Sequence, residues 1–152
     1  MNVEMGEIFE DVQLYQMIIG KLIYLSTSSR PDIAFVVKQL CQHLRCPYEK
    51  HFSAAKRVLR YLQFSKKCRL VYGQADAMRV YCDSNFTSID SKSISMSGSL
   101  CMIYGNLVSW SSRKQARVSQ STCESEILSI VDGVNEIEFF VNLFKVFQLY
   151  GS

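Results

Sequence analysis

The sequence predicts an α/β protein of the α+β kind: helices first, then a three-stranded antiparallel sheet with one long helix. Three observations lead there. Apolar residues recur at helical spacing through the first 64 residues. Short runs rich in Val and Tyr, divided by turn residues, begin near Arg69. A final stretch from about Thr122 to Leu149 returns to the helical period.

The first helix is expected over Tyr15 to Leu25, where Ile18, Leu22 and Leu25 share a stripe. "STSSRP" ends it, and Pro31 suits the first turn of the next helix, because its missing N–H has no helical partner to lose. That second helix is expected over Asp32 to Leu44, with Ile33, Val36, Val37, Leu40 and Leu44 inward. "RCPYEK" interrupts. The third, about Tyr48 to Phe64, puts Phe52, Ala55, Leu59 and Leu62 on one stripe and Lys56, Arg57 and Arg60 mostly off it. A boundary is expected between Gln63 and Arg79, giving a helical segment over 1–68 and a second domain over 69–152.

"RLVYG" and "MRVYCD" read as short strands. "SGSLCMIYG" and "LVSWSS" form a hairpin around Gly105-Asn106, a two-residue turn signal. A polar loop, "RKQARVSQS", leads to the last helix, where Ile127, Ile130, Val134, Ile137, Val141 and Phe144 recur at threes and fours. That stripe is the face expected to pack.

Composition narrows the function classes. The chain has 152 residues, 48% of them hydrophobic, enough for a core. No apolar run approaches the roughly 20 residues of a membrane span, so no membrane partner is expected. The six cysteines follow an acidic start, "MNVEMGEIFEDV", instead of a hydrophobic signal region. Free thiols in a reducing intracellular compartment are therefore expected. The net charge of +3 conceals a polarity. Glu4, Glu7, Glu10 and Asp11 all fall in the first twelve residues, leaving 17 bases against 10 acids beyond them. From Lys38 to Arg69 nine bases meet only Glu49, either a solvated set of helix faces or a surface for phosphates.

Cys41, His43, Cys46 and His51 are close in sequence, but their spacing fits no common zinc knuckle. Cys41 and His43 would also point about 200° apart on a helix. A Cys or Ser nucleophile lacks a base and orienter at any recognisable spacing, and no glycine-rich phosphate loop occurs. Carboxylates remain. Asp83 closes a strand and is either a turn residue or a first ligand for a divalent cation. Ser121-x-x-Glu124 is a capping-box pattern, which gives Glu124 a structural task. Glu126 has none. Were the last helix to pack on the sheet, Glu126 could approach Asp83, and two converging carboxylates need a cation between them.

"YQMIIGKLIYLSTSSRPDIAFVVKQL", "HFSAAKRVLRYL", "YCDSNF", "SGSLCMIYGNLVSWSSRKQ" and "STCESEIL" together resemble, in order, a segment of copia-type LTR retrotransposon Pol polyproteins. The resemblance covers about Tyr15 to Leu149. It implies a helical thumb or connection segment after a reverse transcriptase core. A C-terminally truncated ribonuclease H-like domain then begins near Leu70. Such domains hydrolyse the RNA strand of RNA/DNA hybrids with two Mg²⁺ ions held by acidic side chains. By that resemblance Asp83 matches the first-strand Asp. Glu126 matches the helix Glu, since an apolar residue, Ile127, follows it; Glu124 is the alternative. The two are then the catalytic and metal-binding residues. Lys56, Arg57, Arg60, Arg113, Lys114 and Arg117 are the nucleic-acid-binding set.

The sequence departs from the family in three places. Phe86 stands where the family has Trp, and Ser91-Lys92-Ser93 where it has a basic run, followed by "ISMS". The blocks carrying the third and fourth acidic ligands are not in this sequence. Asp132 lies about 240° round the helix from Glu126 and is not expected to replace them. The resemblance therefore implies a fragment with weak or no Mg²⁺ binding and no autonomous cleavage. Its expected partners are RNA/DNA hybrid or other nucleic acid, and another chain that completes the sheet. The alternative is a non-catalytic nucleic-acid-binding or interaction module.

Overall fold

A computed structural model describes residues 7–73, 77–86 and 95–150, with side chains through residue 147. The chain divides into two compact units, Met1–Leu70 and Val71–Ser152.

The first unit is helical. Helix α1 spans Val12–Ser28, and Asp11 caps it by accepting a hydrogen bond from the Leu14 N–H at 2.9 Å. A single 3-10 turn, Pro31–Ile33, leads into α2, Ala34–Cys41. The second predicted helix is thus shorter than expected. Gln42 and His43 donate back to Gln39 and Leu40, three residues behind, so its last turn tightens and stops. Helix α3 spans Glu49–Phe64. Its inward residues are Ala55 and Val58, with Phe52 and Leu62 half-buried, and the expected Leu59 is exposed. Leu59 lies only about 60° round the helix from Lys56, so the charged arc carries it outward.

Tyr15, Ile19, Leu22, Ile33, Val37, Leu40, Ala55 and Val58 form one core. Tyr15 is fully buried, and its hydroxyl donates to the Leu40 carbonyl at 2.9 Å, tying α1 to α2. Burial pushes its pKa up to about 12, so the hydroxyl keeps its proton. Outside the core, Arg30 grips Asp32 at 2.7 Å and Ser65 Oγ at 2.6 Å, while Tyr61 donates to Asp32 at 2.8 Å. This clasp fixes the end of α3 against the Pro31 turn.

The second unit is a sheet of order β1-β2-β3, all antiparallel, with one helix on it. Strand β1 spans Arg79–Asn85, β2 Met96–Ile103, β3 Asn106–Lys114, and helix α4 Thr122–Tyr150. "RLVYG" is not a strand. Instead Tyr72 donates to the Leu107 carbonyl at 3.2 Å and the Gly73 N–H to Asn106 Oδ1 at 2.7 Å, lacing this segment to the hairpin. The hairpin turn sits one residue earlier than expected. Tyr104 and Gly105 occupy its centre with φ of 51° and 73°, and Asn106 opens β3.

Helix α4 reverses the expected packing. Its sheet-facing residues include Ser125, Ser129 and Gly133, all buried. Ile127, Ile130, Val134, Ile137, Val141 and Phe144 are exposed. The reason lies in the sheet. Its helix-facing rows carry Ser97, Ser99, Ser111 and Cys101, so small polar surfaces meet and the helix comes close. At Gly133 even a methyl group would collide with Cys82 Sγ.

Candidate functional site

Strand β1 alternates. Val80, Cys82 and Ser84 are half-buried, and Arg79, Tyr81, Asp83 and Asn85 are exposed. Val80 and Cys82 meet α4 at Gly133. The strand period of two then puts Asp83 on the opposite sheet face. Its register partner is Gly98, which in turn faces Ser112. No side chain at Gly98 shields the carboxylate. The neighbouring row on that face is Tyr81, Leu100 and Trp110, and the next is Asn85, Met96 and Lys114. Asp83 Oδ1 accepts from the Ser84 N–H at 2.9 Å, which folds the carboxylate back along its own strand.

Glu126 lies in the first turns of α4 and is exposed. No hydrogen bond or ion pair joins it to Asp83 among the described residues. Glu124 performs the task read from its spacing: its backbone N–H donates to Ser121 Oγ at 3.1 Å. Its carboxylate accepts from the Gln120 N–H at 2.7 Å, rather than from the cap residue itself. Asp132 is half-buried on the sheet side of α4 and raises the pKa of the Cys82 thiol, as does Glu136. Burial is the larger cause there and at Cys101, so both thiols stay protonated.

Among the described residues no group of three or more His, Cys, Asp or Glu side chains could hold a metal ion. That applies to Cys41, His43, Cys46 and His51 as well. The two imidazoles stack with centroids 3.7 Å apart, and His51 Nδ1 accepts from the Tyr48 N–H at 3.1 Å, capping α3.

The predicted basic residues are all exposed. Lys56, Arg57 and Arg60 stand on α3 in the first unit. Arg113 and Lys114 end β3 and, by alternation, point to opposite sheet faces. Arg117 follows in the loop; Ser91-Lys92-Ser93 lies outside the described residues. A cavity of about 270 Å³ in the first unit is lined by Arg30, Asp32, Tyr61, Cys68 and Arg69 among others. Its one carboxylate, Asp32, is held below the usual range by the Arg30 guanidinium, which leaves it engaged.

The sequence reading missed the polar hub under α4. Gln115 Nε2 donates to the Ser125 carbonyl at 2.8 Å and to Ser97 Oγ at 3.1 Å, and Ser119 Oγ donates to Gln115 Oε1 at 2.6 Å. The available signal was the serine density of "SISMSGS" and "SQSTCESEILS", which resembles loop composition.

Comparison with known proteins agrees with the sequence blocks. The chain is 34% identical over 131 residues to a transposon Ty5-1 protein of Saccharomyces cerevisiae, covering 84% of this chain and 42% of that protein. It is 31% identical over 145 residues to the retrovirus-related Pol polyprotein from transposon RE2 of Arabidopsis thaliana, covering 91% of this chain and 10% of that protein. It is also 34% identical over 124 residues to the secreted RxLR effector protein 161 of Plasmopara viticola, covering 80% and 87%. The chain thus spans less than half of the first two relatives. No protein-family model matches it, and no solved structure does.

Proposed function

Because the chain belongs to the copia-like retrotransposon Pol polyproteins, we propose that it is the nucleic-acid-handling piece of a hybrid ribonuclease. Its second unit is then the opening part of a ribonuclease H-like domain, and its first unit a helical segment that precedes it. The observation that supports this best is Asp83: an exposed carboxylate on edge strand β1, opposite the bare backbone of Gly98. A phosphodiester can reach such a group.

In this reading Asp83 supplies one of the acidic groups for hydrolysis of the RNA strand, and Glu126, on the helix against the other sheet face, is assigned to the same chemistry by the resemblance alone. Mg²⁺, when bound, would supply the activation of water. This chain's residues do not make that site alone. The other donors come from the rest of a polyprotein of which this chain matches about a tenth. Among the described residues no strand pairs with the outer edge of β1, and a further strand there would bring them. The isolated chain therefore binds hybrid and does not cut it. Lys56, Arg57 and Arg60, with Arg113, Lys114 and Arg117, neutralise backbone phosphates.

The test is fluorescence anisotropy with a labelled RNA/DNA hybrid. Binding should weaken steeply with salt, and log K should lose about 0.9 of slope for each phosphate contact removed. Lys56→Ala, Arg57→Ala and Arg60→Ala together should flatten that slope. No binding at low salt, or a slope unmoved by the triple variant, refutes this assignment of the basic residues.

A further inference from the structure

One cluster in the first unit serves neither the core nor the proposed site. It joins the segment 7–9, the loop after α2 and the start of α3. Residues 7–9 run antiparallel to residues 47–49, with Ile8 bridged to Tyr48. The Phe9 N–H donates to the Pro47 carbonyl and the Glu49 N–H to the Glu7 carbonyl, each at 2.9 Å. The two bonds flank Tyr48. In an antiparallel pair the N–H of a residue so flanked points away from the partner segment, and the Tyr48 N–H goes to His51 Nδ1 at 3.1 Å. The turn at 47–49 is therefore held from two sides, by the segment 7–9 on one and by His51 on the other. Phe9 adds one more fastening: its ring stacks on Phe52 with centroids 4.0 Å apart.

We propose that the stacked pair His43 and His51 is a proton-operated latch: charging His51 opens the bond at Tyr48 and releases the segment 7–9 from the start of α3, while the core of the first unit stays folded. This inference is independent of the ribonuclease reading. The bond fixes the tautomer. His51 Nδ1 accepts, so the neutral ring carries its proton on Nε2. A second proton has only Nδ1 to occupy, where it faces the Tyr48 N–H and ends the bond. The surroundings oppose that charge. His43, from the loop after α2, stacks on the His51 ring with centroids 3.7 Å apart, and Lys50 stands next to it on α3. The Tyr48 ring meets His51 edge-on at 5.5 Å, with Lys50 Nζ 5.6 Å from the tyrosine centroid. Glu7 on the segment, Arg45 and Cys46 on the loop and Glu49 on α3 are exposed. Among the described residues no carboxylate forms an ion pair with His51. Burial first, then His43 and Lys50, holds the His51 pKa below the ordinary 6.5. The segment is therefore fastened above that value and let go as pH falls below it. Two hydrogen bonds and one ring stack are few enough to open locally. The eight buried core residues come from α1, the Pro31 turn, α2 and α3, and none belongs to 7–9 or to 42–51.

Amide hydrogen exchange on the full chain, read residue by residue by NMR from about pH 7.5 to about pH 5 and corrected for intrinsic rates, tests this. The Phe9 and Glu49 amides should lose protection on the order of 10-fold across that range, while the Leu22 and Val37 amides keep theirs. His51→Gln retains an acceptor at the third helical position and removes the titrating group, so the segment should stay protected throughout. His43→Phe keeps a stacked ring and removes its charge, so the loss should be smaller than in the parent. Core protection at the high-pH end shows that each variant is folded, and the parent profile decides the central point without any variant. Phe9 and Glu49 amides that hold at every pH in the parent overturn the latch. So does a loss of equal size in His51→Gln. A loss shared by Leu22 and Val37 is unfolding of the whole unit and overturns it as well. A loss undiminished in His43→Phe overturns the part given to the stacked pair.

Discussion

Asp83 gains its interest from what surrounds it. Tyr81 and Asn85 flank it on an open face, and Gly98 leaves its carboxylate uncovered. Its neighbour Ser84 points the other way and holds a buried hydroxyl with no hydrogen-bond partner among the described residues. Ser84→Ala should therefore be neutral or stabilising by about 1 kcal/mol, because an unpaired buried hydroxyl costs desolvation and returns nothing; urea denaturation reads this directly. Gly133→Ala should go the other way. Helix propensity favours Ala by about 1 kcal/mol, but the collision with Cys82 Sγ outweighs it at about 1–3 kcal/mol. Cys82→Ala in the same chain should recover part of the loss, a coupling a double-mutant cycle would expose. His51 gives a pH dependence. Burial, then His43 and Lys50, lowers its pKa below the ordinary 6.5, so the folded state prefers the neutral ring that caps α3. The first unit should hold full stability above pH 6.5 and lose it as pH falls below that value. His51→Gln should flatten this dependence in thermal melts at stepped pH.

At the scale of elements, the hairpin carries strain that sequence can relieve. Tyr104 takes a left-handed φ of 51°, a conformation bulky side chains resist. Tyr104→Asn creates Asn-Gly at the two central positions and should raise stability by about 0.5–1 kcal/mol, visible as a higher melting temperature. Helix existence was legible from periodicity at α1, α3 and α4, because each carries several turns of apolar repeat. The direction of α4 was not. Its apolar stripe is the stronger periodic signal, and packing partners, which periodicity does not name, decide which face turns inward. A serine- and glycine-lined face won because the sheet opposite is also small and polar. The segment "RLVYG" has strand-like residues but no described strand partner, and its hydrogen bonds to Leu107 and Asn106 hold it as an extended strap instead. The turn was placed one residue late because Gly-Asn and Tyr-Gly compete for the same hairpin, and only Asn106's hydrogen bonds to the Ile103 and Tyr104 carbonyls settle the register.

For the whole molecule, the sequence blocks identified the family because they span both units in order, and no single block would have done so. The candidate site was half legible. Asp83 and Glu126 were singled out by their place in those blocks, and both are exposed, Asp83 on β1 and Glu126 in the first turns of α4. α4 presents its small-residue face to the sheet, and strand alternation turns Asp83 to the other side. Under the proposed function, completion of the site falls to the remainder of a Pol polyprotein. The direct measurement is RNA-strand cleavage of an end-labelled RNA/DNA hybrid in Mg²⁺, by a chimera in which this chain replaces the matched segment of the Arabidopsis RE2 relative. The account predicts that the isolated chain leaves the hybrid intact and that the chimera cuts it. Asp83→Asn in the chimera should slow cutting on the order of 1,000-fold. A folded chimera that does not cut, or one that cuts equally well with Asn at position 83, would contradict it.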